Sequence, residues 1–99
     1  MTITKTQEGS KLNVALEGRL DTTTAPNLEA EMRDALNGVT ELDIDMASLA
    51  YISSAGLRVM LALQKQMNKQ KGSMTIRNAS EELMEIFDVT GFVDVLHIV

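Results

Sequence analysis

Residues Leu49–Arg58 read LAYISSAGLR, and the junction inside this run decides the fold. An apolar, strand-like segment ends in two adjacent hydroxyls, Ser53 and Ser54, and Ala55-Gly56 follows at once. From Ala55 to Lys69 the apolar positions Leu57, Met60, Leu61 and Ala62, continued by Gln64 and Met67, take helical spacing, and Lys71-Gly72 closes the element. Upstream, Glu41–Met46 alternates Leu42, Ile44 and Met46 with Glu41, Asp43 and Asp45, the period of a strand with one covered and one polar face. Helices are therefore expected mainly on one side of the sheet. Downstream, Ser73–Arg77 reads as a further strand.

Outward from this unit the same alternation continues. Thr2–Gln7 and Lys11–Glu17 are strand-like, and Glu8-Gly9-Ser10 between them supplies the turn of a hairpin. Thr22, Thr23 and Thr24 offer capping hydroxyls. Pro26 suits an early helical position, where its missing N–H would have had no partner. Leu28, Met32, Ala35 and Leu36 then draw one apolar face of a helix over Ala25–Leu36, ended by Asn37-Gly38. Asn78 or Ser80 can cap a third helix with Glu81 and Glu82 in its first turn, Leu83, Ile86 and Phe87 turned inward, and Gly91 at its end. Val93–Val99 reads as a last apolar strand. The order β-β-α-β-α-β-α-β implies an α/β fold, a single domain over residues 1–99 with a mixed sheet and an N-terminal β-hairpin.

Composition narrows the function. The 99 residues contain no cysteine, which excludes disulfides, thiolate metal sites and a thiol nucleophile. No apolar run approaches the roughly 18 residues that cross a bilayer, and MTITKTQEGS has neither a basic leader nor a long apolar stretch, so a cytoplasmic protein without a membrane span is expected. The formal net charge is -5, and Lys65, Lys69 and Lys71 form the one concentrated basic group, placed to complement a helix C-terminus. Three aromatics and no basic face argue against nucleic acid as a partner.

A serine at a strand-to-helix turn can be a nucleophile, a phosphate ligand, a cap or a site of modification. As a nucleophile Ser54 lacks the glycine two residues before it that a nucleophile elbow carries, and His97, the single histidine, belongs to the final strand. No catalytic residue is assigned, and an enzyme is not expected. A nucleotide cradle is unsupported, because no G-x-x-x-x-G-K-[ST] or G-x-G-x-x-G run exists. Asp43 and Asp45, with no His or Cys near them, read as a charged solvent face, so no metal and no cofactor is expected. A phosphate on Ser54 would sit where backbone N–H groups and the helix dipole tolerate an anion, so the scaffold should survive the change while its surface becomes dianionic. These residues alone leave a switch serine and a plain N-cap both open.

Gly18-Arg19-Leu20-Asp21 followed by Thr24-Ala25, then Leu42-Asp43-Ile44-Asp45, and above all Tyr51-Ile52-Ser53-Ser54-Ala55-Gly56-Leu57-Arg58, resemble the successive signatures of the STAS domain found in bacterial anti-sigma factor antagonists. The resemblance spans nearly the whole chain. It implies partner switching. The unmodified antagonist binds an anti-sigma factor that is also a serine kinase and frees a sigma factor; phosphorylation releases the antagonist, and a serine phosphatase restores it. By the same resemblance the phosphoacceptor is Ser54, the serine two positions before the glycine. The preceding position, often aspartate in the family, is Ser53, and the following one, often Ser or Thr, is Ala55. The partner-binding surface is expected around Asp21, Thr22, Thr23, Ser53, Ala55, Gly56 and Arg58. Asp21 can equally be a turn residue, Arg58 can face a partner or solvent, and Gly56 can admit a close backbone or simply be tolerated. An alternative implied by the resemblance is a subunit regulating the ATPase of an ABC-type lipid transport system.

Overall fold

A computed structural model describes the whole chain, Met1–Val99. Strands β1 (Thr2–Glu8) and β2 (Lys11–Leu20) form the hairpin, followed by α1 (Ala25–Ala35), β3 (Glu41–Ile52), α2 (Ser54–Lys69), β4 (Ser73–Arg77), α3 (Glu81–Val89), a 3₁₀ turn at Phe92–Asp94 and β5 (His97–Ile98). The five strands lie in the order β1-β2-β3-β4-β5; β1 pairs antiparallel with β2, and every other neighbouring pair is parallel. The mixed sheet with an N-terminal hairpin is thus as expected.

Alternation decides which face is covered. Leu12, Val14 and Leu16 of β2, Leu42, Ile44 and Met46 of β3, and Met74 and Ile76 of β4 are buried in one cluster with Leu28 and Met32 of α1, Met60, Leu63 and Met67 of α2, and Leu83 and Phe87 of α3. Each such side chain gains about 1.5–3 kcal/mol from leaving water, so the helices are held to this face by sequence pattern alone. On α2 the buried face is rotated from the expected one. Val59 and Leu63 are buried, Leu61 is half-buried and Ala62 is exposed, because the helix packs simultaneously on the sheet and beside α1.

The opposite face carries Lys11, Asn13, Asp43, Asp45 and Arg77. Asp43 does not stand in solvent as expected: it is 8% exposed, accepts a hydrogen bond from Arg77 Nε at 3.0 Å, and lies 3.6 Å from Lys11 Nζ. Its neighbours across the parallel ladder, Asn13 and Thr75, crowd it from both sides. Glu41, and after it Asp43, push the Lys11 ammonium pKa up.

Strand β3 runs unbroken to Ile52, so the alternating Glu41–Met46 and the strand-like run before the serines are one strand. Its register against β2 slips twice, so that Ala15 faces Asp45 but Glu17 faces Ser48, and Gly18 faces Leu49 but Arg19 faces Tyr51. After Met46 the buried positions are Leu49 and Ile52, a spacing of three that hides the strand from a period-two reading. Asp45 supports the first irregularity by accepting the Ala47 N–H at 2.9 Å. The expected last strand, Val93–Val99, is mostly not a strand. Gly91 (φ 79) turns the chain into the 3₁₀ turn, and pairing with β4 is left to His97 and Ile98. Only Leu96 of that run is fully buried, with Phe92 and Ile98 half-buried against the core.

Candidate functional site

Because β2 and β3 are parallel and in register at their ends, Leu20 and Ile52 lie side by side at one edge of the sheet, whereas β4 ends at Arg77, level with Asp45. Helices α1 and α2, which follow these two strands, begin there. In open α/β sheets this edge is where ligands and partners are met.

The loop from β2 into α1 is organised by Asp21. Its Oδ1 accepts from the Thr23 hydroxyl at 2.7 Å and from the backbone N–H groups of Thr23 at 3.0 Å and Thr24 at 3.2 Å. The Thr23 hydroxyl first, then these N–H groups, hold the carboxyl below the ordinary aspartate range against the opposing effect of burial. Thr24 occupies the N-cap position of α1 but its hydroxyl does not cap the helix. It donates to the Arg19 carbonyl at 2.8 Å and accepts from the Asp21 N–H at 2.8 Å, closing the loop onto itself. Pro26 takes the early helical position as expected. Thr22 and Thr23 face solvent.

The loop from β3 into α2 divides its labour between the two serines. The Ser53 N–H donates to the Leu20 carbonyl at 2.9 Å, and its side chain accepts from the Gly56 N–H at 3.3 Å, so Ser53 is the N-cap. Ser54 is the first helical residue. It is exposed, and no hydrogen bond within the chain engages its hydroxyl. Cap and free serine, left open by the sequence, are two different residues.

Gly56 is not on the surface. It is buried, and a Cβ at this position would stand 2.8 Å from both Ile52 Cγ1 and Leu20 Cγ, so the glycine lets α2 descend onto the ends of β2 and β3. Its place in the site is to set the depth of the helix. Arg58 is exposed one turn beyond Ser54 on the same helical face. With Thr22, Pro26, Glu29, Ala55 and Val59 it lines an open groove of about 400 Å³ between the starts of α1 and α2. The structure thus brings together Thr22, Ala55 and Arg58, with Ser54 beside Ala55 and Asp21 beside Thr22. Neither α1 nor α2 has an acidic residue in its first turn; the Asp21 carboxylate answers the start of α1 through the Thr24 N–H, whereas the start of α2 has no such carboxylate of its own.

Sequence reasoning missed two neighbours of the site. Tyr51 is partly exposed, and the Arg19 guanidinium lies 4.4 Å from its ring centroid and 3.8 Å from Asp21 Oδ2. The pair faces across the second register slip, which no local pattern announces. His97 lies in β5, separated from β3 by β4, and takes no part in the site. No group of three or more His, Asp or Glu side chains is placed to hold a metal ion, and no helix is long and apolar enough to cross a membrane.

A family model described as "Mlab, STAS domain" matches residues 3–98. The anti-sigma-B factor antagonist of Bacillus subtilis (strain 168) is 32% identical over 92 residues, covering 93% of this chain and 84% of that protein. Among solved structures, the unphosphorylated anti-sigma factor antagonist SpoIIAA superposes with a TM-score of 0.78 at 16% identity, over 99% of this chain and 87% of the other. The phosphorylated form of the Bacillus cell fate determinant SpoIIAA gives 0.77 at 17%, over 99% and 91%.

Proposed function

The chain belongs to the STAS domain family, and from that premise we propose that it is an anti-sigma factor antagonist acting in the cytoplasm by partner switching, with Ser54 as the switch. The reading draws support from a relative at 32% identity that bears the name anti-sigma-B factor antagonist. The single observation that carries it is the exposed, unbonded hydroxyl of Ser54 at an α2 start that Ser53 and Gly56 have already secured.

The unmodified surface, formed by Asp21, Thr22, Thr23, Ser53, Ala55 and Arg58 and shaped by Gly56, docks an anti-sigma factor that is also a serine kinase. The kinase moves the γ-phosphoryl group of ATP to Ser54 Oγ; the hydroxyl proton is lost and ADP leaves. The product carries about -1.5 to -2 charges where a small neutral group stood. Its own helix receives it well. The free N–H groups of the first turn and the dipole favour an anion, no first-turn acid opposes it, and Arg58 at i+4 can pair with it. A partner packed over Ser54 meets a hydrated dianion and is released. A serine phosphatase reverses the step by hydrolysis, with water restoring the hydroxyl and inorganic phosphate leaving. The protein itself is a regulator and not an enzyme in this scheme.

Incubation with the cognate kinase and ATP should add one phosphate by intact mass, absent in Ser54→Ala. Ser54→Asp should remain folded and lose the kinase. Labelling at Ser53, or undiminished binding by Ser54→Asp, would overturn the assignment. Co-purification with a transporter ATPase and no labelling would instead favour the ABC-system role.

A further inference from the structure

All of the net charge lies in the last stretch of chain. Residues 1–77 contain nine basic and nine acidic side chains, whereas residues 78–99 contain Glu81, Glu82, Glu85, Asp88 and Asp94 and no lysine or arginine. The ion pairs of the molecule use Lys5, Lys11, Arg19 and Arg77, and none reaches these five acids. Glu81 and Glu82 stand in the first turn of α3, where the dipole accounts for them. Asp88 has no such account. It stands in the last turn, where the helix end is already negative and no basic residue offsets it. Beside it Val89 is 86% exposed. Both choices burden the isolated domain.

Glu82, Glu85, Ile86 and Val89 recur at i, i+3, i+4 and i+7, one stripe of the helix, and with Thr90 they line an open groove of about 320 Å³. Glu81, Glu85 and Asp88 form the adjacent stripe. The groove therefore has an apolar floor, Ile86 and Val89, with carboxylates alongside, and it shares no lining residue with the groove between α1 and α2.

We propose that this face of α3 is a second docking surface, and that its occupant is a cationic amphipathic helix of another protein. Leucine-sized apolar side chains of that helix seat on Ile86 and Val89, and its lysines or arginines lie against Glu82, Glu85 and Asp88. A second copy of this chain fits less well. The cations outside its ion pairs, Arg33, Arg58, Lys65, Lys69 and Lys71, lie on α1 and α2 or just after α2, and neither helix exposes a large apolar side chain to fill the floor. The surface is independent of the Ser54 switch.

The test is a titration of the full isotope-labelled chain, followed by NMR at low salt, with a synthetic Leu/Lys amphipathic peptide of about 15 residues. Shifts are expected over Glu82–Thr90. Asp88→Arg should weaken binding at least about tenfold while raising Tm, because it removes an unfavourable last-turn acid. A merely structural residue would not move the two readouts in opposite directions. Val89→Ser should weaken binding at unchanged Tm, and an Ala/Lys peptide should bind about tenfold more weakly than the Leu/Lys one. Ser54→Asp should leave binding unaltered, so failure of the switch reading does not touch this one. The proposal is overturned by shifts at Ala25–Glu29 or Ser54–Val59, by equal binding of a Leu/Glu peptide, or by wild-type affinity in Asp88→Arg. It is also overturned by concentration-dependent shifts on α2 and α3 without peptide, which would identify a second copy.

Discussion

At the start of α2, Ser53 accepts a hydrogen bond from the Gly56 N–H at 3.3 Å; at the start of α3, Ser80 accepts one from the Leu83 N–H at 3.2 Å. Both helices follow strands that run parallel in the sheet, and both caps are serines in extended conformation. The first turns beyond those caps differ. That of α3 holds Glu81 and Glu82, so its positive end is already answered, whereas that of α2 holds Ser54, Ala55 and a buried Gly56. One helix start is complete in itself, and the other is left able to receive a negative group. An identical capping device thus serves stability at one place and leaves room for chemistry at the other, and the difference lies in two or three side chains.

The largest effect should come from placing a permanent charge at the open start. Ser54→Asp is expected to weaken binding to the cognate kinase by about 100-fold or more, the scale of several kcal/mol for an unpaired charge in an interface, with Tm unchanged or slightly raised. Isothermal titration and a thermal melt check the two halves. If Tm falls sharply instead, the α2 start does not tolerate a negative group and the contrast with α3 is lost.

Next in size is the depth of α2. Gly56→Val should destabilise by about 1–3 kcal/mol or more, since added methyl groups must displace Ile52 and Leu20. Urea unfolding measures it. Near-wild-type stability would show that the helix can rise without cost. The two caps should then behave alike: Ser53→Ala and Ser80→Ala are each expected to lose about 1 kcal/mol. A much larger loss at Ser53 would mean that the open start depends on its cap more than the closed one does.

Smaller again is the dipole. Glu81→Gln and Glu82→Gln should each lose about 0.3–1 kcal/mol at low salt, while Ser54→Asp gains a comparable amount, and added salt should erase both. The smallest effect is on acid stability. Asp21 and Asp45 have folded pKa values below the ordinary one, Asp21 chiefly through the Thr23 hydroxyl and Asp45 chiefly through the Ala47 N–H. Their contribution is therefore complete above the unfolded carboxylate value of about 4 and is lost as pH falls through the folded one. Asp21→Asn and Asp45→Asn should each show a shallower fall in Tm on acidification than the parent protein.

Much of the architecture was legible in the residues, and the misses share a cause. The hairpin, α1, the first half of β3 and β4 were readable because each repeats a pattern with one period, and burial on one face requires that period. The second half of β3 was readable as a strand-like run before the serines but not as the continuation of the first half, because two register slips change its spacing from two to three, and a slip is a property of the β2–β3 pair. Asp43 read as solvated because alternation assigns a face without saying what else stands on it; Arg77 and Lys11 arrive from other strands. The final strand failed for a related reason. Its valines are β-prone, yet Val93, Val95 and Val99 are all exposed, so none is buried to hold the segment against β4.

By itself the sequence determined the class of fold, the order of its elements and the place where a strand hands over to a helix through two serines, because periodicity, turn residues and caps act over a few neighbouring positions. Only the tertiary structure decided which serine is bound and which is free, that Gly56 serves the interior, and that Asp21 ties a loop facing the α2 start. Those outcomes depend on how closely α2 can approach Leu20 and Ile52, a distance between segments far apart in the chain that no local pattern encodes.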